Sequence, residues 1–87
     1  MKVTILYTQN TPADREIEYL MKRLASVRIL ADLVDADSKE GVAVAELYDV
    51  MARPAVVVTD SAGRLVQKWQ SELPRAEDVG AAYQVST

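Results

Sequence analysis

The sequence contains no cysteine and no histidine. It therefore has no thiol to form a disulfide or attack a substrate, and no imidazole to act as a base near neutral pH. The usual zinc ligands are missing for the same reason, and no metal or cofactor is expected. The lack of cysteine also removes the ordinary clue to redox compartment. Long apolar runs are absent too: the stretch at 3–7 is far too short for a membrane span or a signal peptide, so a cytoplasmic location and no membrane contact are the default expectations. A basic cluster is also missing. Ten Lys and Arg face thirteen Asp and Glu, giving a net charge of −3, and the cations are scattered singly or in pairs such as Lys22 and Arg23. Nucleic acid is a poor partner for such a chain, because phosphate contacts need cations gathered on one face.

What is present suffices for one folded unit. With 87 residues, 49% of them hydrophobic and 26% charged, the chain can supply a core and lacks the composition of disorder. A single domain over 1–87 is expected. The β-branched and aromatic run at 3–7 predicts a buried strand, and Thr8-Gln9-Asn10 a turn. Thr11 then suits an N-cap, Pro12 the first helical position, and Asp14 lies three residues past the cap. Ile17, Leu20, Met21 and Leu24 follow as one apolar stripe at helical spacing.

A second strand is predicted at 31–36. Asp37, with Glu40 three residues on, offers a second cap, opening a helix whose inner face would be Val44, Leu47, Tyr48 and Met51. Three consecutive valines at 56–58 mark a strand covered on both sides. Asp60-Ser61-Ala62-Gly63 is a loop of hairpin length, with Gly63 where positive φ is wanted, and 64–70 is the return strand. Pro74 opens a last helix with Val79, Ala82 and Tyr83 inside. The order is β-α-β-α-β-β-α. Right-handed crossover makes the first two strands parallel neighbours, and the short loop makes the last two antiparallel.

Two stretches narrow this further. Val34-Asp35-Ala36-Asp37, a helix, and then Tyr48-Asp49-Val50-Met51-Ala52-Arg53-Pro54-Ala55-Val56-Val57-Val58 resembles the thioredoxin run that ends in a cis-proline and enters the third strand. Gly63-Arg64-Leu65-Val66-Gln67-Lys68-Trp69-Gln70-Ser71-Glu72-Leu73-Pro74 is similar to that family's fourth strand, following turn and last helix start. The resemblance, to the thioredoxin and glutaredoxin family, covers nearly the whole chain. It implies an α/β three-layer sandwich with a four-stranded mixed sheet of order 2-1-3-4. A shorter resemblance, Leu6-Tyr7 followed by Asn10-Thr11-Pro12, is to the opening of KaiB-type clock proteins, which are thioredoxin-like, lack the redox pair and act by docking on a partner.

The family resemblance fails where the chemistry would sit. Family members carry a C-x-x-C pair at the start of the first helix, where the helix dipole lowers a thiol pKa. Here Thr11, Pro12, Ala13 and Asp14 occupy that place, so dithiol oxidoreductase activity is excluded in this chain. Thr11 and Asp14 read as helix-capping residues rather than as a nucleophile and its helper, since no base adjoins Thr11. In the family the backbone just before the cis-proline pairs with an extended peptide or with glutathione, which marks Arg53, Pro54 and Ser71 as a binding groove beside the first helix. Arg53 would either bind a carboxylate there with the free helix amides or form a surface ion pair with Asp14.

The expected function is thus a redox-inactive protein- or peptide-binding module rather than an enzyme. The alternatives are a glutathione or small-anion binder using the same groove, and an unrelated enzyme. Ser71, where the family has glycine, and Gln9, where a glutathione site would want lysine, speak against glutathione. Trp69 is expected in the core and Tyr7, Tyr19, Tyr48 and Tyr83 at its boundary. Asp35-Ala36-Asp37 begins like a calcium loop but lacks the rest of the spacing. Arg64, Lys68 and Asp32 read as protection of the sheet edges, favouring a monomer.

Overall fold

The computed structural model describes residues 1–8 and 11–85, the last two of these by their backbone alone. The elements are β1 (Lys2–Tyr7), α1 (Asp14–Ser26), β2 (Ala31–Asp35), α2 (Lys39–Leu47), β3 (Ala55–Thr59), β4 (Leu65–Gln70) and α3 (Ala76–Val85). They form one four-stranded sheet of order β2-β1-β3-β4. β1 runs parallel to β2 and antiparallel to β3, and β3 is antiparallel to β4. This is the topology the sequence implies. None of the helices is long and apolar enough to cross a membrane among the described residues.

The two faces of the sheet differ in size, and the period-2 alternation of the strands sets the difference. On one face Val3, Ile5, Val56 and Val58 meet Ile17, Leu20 and Leu24 of α1 and Val79 of α3. Trp69, Ala82 and Tyr83 pack at the margin of this cluster, whereas Tyr19 is exposed rather than at a boundary. On the other face Leu6, Val34, Ala36 and Ala55 meet Val44, Ala45 and Val50. All five residues of β3 are buried, as expected of a strand covered on both sides.

The small second face lets α2 come very close. Gly41 is its buried residue, and a Cβ there would overlap the Asp35 carbonyl oxygen and lie 2.8 Å from the Ala36 Cα. The inner face of α2 is therefore Gly41, Val44 and Ala45, followed by Val50. This corrects the expected face: Leu47 is 71% and Met51 83% exposed. The helix stops at Leu47, so the helical period does not carry on to Met51. The stop is a Schellman motif. Asp49 takes the left-handed position (φ 56°), and the Val50 amide donates to the Ala45 carbonyl at 2.8 Å. α1 ends the same way, with Arg28 left-handed (φ 65°) and Ile29 donating to Leu24 at 2.9 Å.

The helix starts differ from expectation by small shifts with clear causes. Ser38, not Asp37, caps α2, its Oγ accepting from the Gly41 amide at 3.0 Å. Asp37 is turned away to Arg53. α1 is capped by Ala13 without a side-chain bond, because the Thr11 hydroxyl donates back to the Thr8 carbonyl at 3.1 Å and a tight turn, Asp14 amide to Thr11 carbonyl, precedes the helix. Gln9 and Asn10, in the turn expected before Thr11, lie outside the described residues. α3 starts two residues after Pro74, where Asp78 reaches back to the Arg75 amide at 3.2 Å, half of a capping box. Lys68 is not a free edge charge. Its Nζ donates to the Tyr48 and Asp49 carbonyls at 3.0 and 2.8 Å, which suits a cation at a helix C-terminus.

The β3–β4 loop is organised by Asp60. Its carboxylate accepts from the Arg64 and Ala62 amides, each at 2.9 Å, and from the Arg64 guanidinium at 3.2 Å, while Gly63 supplies the positive φ of 81°. The Arg64 amide first, then the Ala62 amide and the Arg64 charge, hold the Asp60 carboxyl below its ordinary value. A carboxyl whose pKa is lower folded than unfolded stabilises the fold at neutral pH, and that contribution is lost as pH falls through the lowered value. Asp60→Ala is therefore expected to melt below the wild type at neutral pH, with the gap narrowing in acid. Thermal melts across a pH series check this, and a gap independent of pH contradicts it.

Candidate functional site

The topology gathers the expected site residues at one end of the two central strands. β1 and β3 pair with Leu6 opposite Ala55, so β1, which precedes Thr11, Pro12, Ala13 and Asp14, ends at the same edge of the sheet at which Arg53 and Pro54 lead into β3. The Arg53–Pro54 peptide bond is cis. From the other side the Ser71 amide donates to the Pro54 carbonyl at 3.0 Å. The end of β2 is drawn in as well, the Ala36 amide donating to Tyr7 at 2.9 Å. No hydrogen bond or ion pair joins Thr11–Asp14 to Arg53, Pro54 or Ser71 among the described residues. They share an end of the sheet without touching through polar groups.

The approach to Pro54 is held by a side chain that sequence reasoning missed. Gln70 Oε1 accepts from the amides of Met51 and Ala52, at 2.5 and 3.2 Å, so the last residue of β4 clamps the loop after α2. The backbone amide and carbonyl of Arg53, between that clamp and the Ser71 contact, have no hydrogen-bond partner among the described residues. An open main-chain donor and acceptor on a fixed loop is what an added extended strand needs.

The charge at this end departs from expectation. Arg53 does not pair with Asp14: its Nη1 lies 2.8 Å from Asp37 Oδ1, with both side chains largely exposed. Asp37 in turn is set by an Asx turn, its amide donating to Asp35 Oδ1 at 2.9 Å. Beside Arg53 lies an open depression of about 380 Å³ whose lining includes Val42, Glu46, Asp49 and Met51. Its charged members besides Arg53 are acidic, and two of its apolar members, Val42 and the highly exposed Met51, stand free of the core. The arrangement offers apolar contact and main-chain pairing beside a guanidinium already balanced by a carboxylate.

Ser71 adopts φ 71°, the left-handed region in which an L side chain crowds the backbone. The sequence marks this position as one where the family has glycine, and the backbone supplies the reason. Ser71→Gly is expected to stabilise the fold by about 0.5–1 kcal/mol, read as a shift of the urea midpoint at unchanged slope. A loss of stability would mean that the hydroxyl contributes more than the strained backbone costs.

An order of β-α-β-α-β-β-α, a 2-1-3-4 sheet with α2 on one face and α1 and α3 on the other, and a proline loop entering the third strand of the chain define a thioredoxin-like fold, here without the dithiol. Solved structures agree. Thioredoxin 1 from Thermosipho africanus superposes with a TM-score of 0.72 at 11% identity, over 99% of this chain and 93% of that one. A protein described as a malarial protein gives 0.69 at 17% identity, over 95% and 92%, and a thioredoxin from Thermus thermophilus gives 0.63 at 23%, over 98% and 72%. No protein-family model and no curated protein matches the sequence.

Proposed function

We propose that this chain is a redox-inactive thioredoxin-fold module that binds an extended peptide or protein segment at the notch formed by the start of α1, the Arg53–Pro54 loop and Ser71. The reading rests on one observation above others: the open amide and carbonyl of Arg53, on a loop fixed by Gln70 and Ser71. Main-chain pairing there would supply register, and Val42 and Met51 would receive an apolar side chain of the segment. Arg53 would help seat the peptide while remaining paired to Asp37, so an acidic segment gains little. Thr11 and Asp14 would shape the rim rather than react, and the module would act by binding, in the cytoplasm, without cofactor, nucleic acid or membrane.

Selection of random peptides on the immobilised chain, followed by amide shift mapping of the winners, tests this. Selected peptides should carry an apolar anchor and perturb amides within 11–14, 51–54 and 70–71, and Met51→Asp should weaken them by about tenfold or more. Peptides that perturb other surfaces only, or the failure to select any, would count against the notch. Reduced glutathione added in excess should displace none of them.

A further inference from the structure

We propose that the cleft between α1 and the segment leading into α3 is a second binding site, for an acidic peptide segment carrying an apolar anchor side chain. It lies on the opposite face of the sheet from α2 and does not rest on the reading of the notch. The cleft encloses about 400 Å³, and its lining includes Tyr19, Leu20, Leu73 and Pro74. That size is sufficient for a bulky side chain. Tyr19 is 66% exposed beside it, an aromatic surface of the sort that dominates binding hot spots together with arginine. Along the same two helices the cleft runs into a second depression of about 490 Å³, the two sharing Arg23, Ala76 and Glu77.

The charge of this surface opposes that of the whole molecule. Arg15, Arg23, Arg28 and Arg75 line the two depressions against only Glu16 and Glu77, a local excess of cations on a chain of net charge −3. One of the four is used internally: Arg23 meets Glu77 at 3.0 Å across the α1–α3 seam. Among the described residues no carboxylate pairs with the guanidiniums of Arg15, Arg28 or Arg75. Arg15 and Arg75 therefore present open forks, suited to bidentate carboxylates, in the same cleft as an apolar floor. A nucleic-acid backbone fits less well, because Glu16 and Glu77 interrupt the cations and would repel a continuous row of phosphates. A peptide can place its carboxylates at the two arginines alone and its apolar side chain between them.

Fluorescence anisotropy of a labelled Glu-Glu-Leu-Phe-Glu-Glu peptide against the intact chain tests the proposal. Saturable binding is expected, weakening as salt is raised. The double variant Arg15→Glu and Arg75→Glu, both on the surface, should lose tenfold or more in affinity, and Tyr19→Ala several-fold, with circular dichroism unchanged. On addition of this peptide, amide shifts should move within 15–23 and 73–77 and stay fixed at 51–54 and 70–71, which separates this site from the notch. Absence of saturable binding, equal binding of a peptide with Lys in place of each Glu, or full affinity in the arginine double variant would overturn it. Shifts confined to 51–54 and 70–71 would overturn it too, by moving the contact to the notch.

Discussion

Replacing Gly41 by alanine is expected to destabilise the fold by about 1–3 kcal/mol, although alanine is the better helix former by about 1 kcal/mol. The added methyl would overlap the Asp35 carbonyl and press on the Ala36 Cα, both backbone atoms that cannot swing aside. Relief requires moving α2 off the sheet and loosening the contacts of Val44 and Ala45 with Leu6, Val34 and Ala55. Gly80 supplies the control. It lies in α3 with open space where its Cβ would be, so Gly80→Ala should stabilise by about 0.5–1 kcal/mol. The same substitution in two helices of one chain thus changes sign, and paired urea titrations read it directly. Two stabilised variants would show that α2 is not seated as described. Because Asp37 follows the crowded Asp35–Ala36 backbone, Gly41→Ala should also disturb the Arg53–Asp37 pair and shift the amides around Arg53.

The second large effect is expected at Leu24, which is fully buried in the last turn of α1. It packs in the cluster shared by α1, α3 and the central strands. Leu24→Ala removes that side chain and leaves a cavity, at a cost of about 2.5–5 kcal/mol. For an 87-residue chain total stability is of the order of 5–10 kcal/mol, so this one change could consume half of it. Leu30, 84% exposed, is the matched comparison, and Leu30→Ala should fall within about 0.5 kcal/mol of the wild type. Similar losses at both positions would place the core elsewhere.

How much of this was legible in the sequence depended on which residues carried the packing. Where large side chains did so, the pattern spoke clearly. The stripe of Ile17, Leu20, Met21 and Leu24 located α1, and the valines at 56–58 located a doubly covered strand. On the α2 face much of the packing falls to Gly41, Ala45 and Ala36, whose contacts hydrophobicity does not register, and the helical pattern points to Leu47 and Met51 instead. Helix ends were obscured for a related reason: both Schellman motifs place a charged residue, Arg28 or Asp49, where glycine would have been the signal. Thr11 had the right chemistry for a cap, but its hydroxyl found the Thr8 carbonyl first.

The candidate site divides along the same line. The cis bond before Pro54 could be read from the family-like stretch around it, and Ser71 as a position where the family has glycine, but the left-handed backbone at Ser71 could not. The pairing of Arg53 with Asp37 and the clamp of Gln70 on Met51 and Ala52 join residues 16 to 19 positions apart, and nothing local in the sequence announces them. The same holds for the α1–α3 cleft, whose arginines come from both ends of the chain and become neighbours only when the helices pack side by side.

Amide hydrogen exchange at Arg53, measured with and without a peptide selected on the chain, bears most directly on the notch as a binding surface. If a bound segment pairs with the loop before Pro54, exchange of the Arg53 amide should slow markedly on saturation, while the amides of the β3–β4 loop, at the other end of β3, keep their rates. Unchanged exchange at Arg53 in a fully saturated complex would mean that the peptide is held by some other surface.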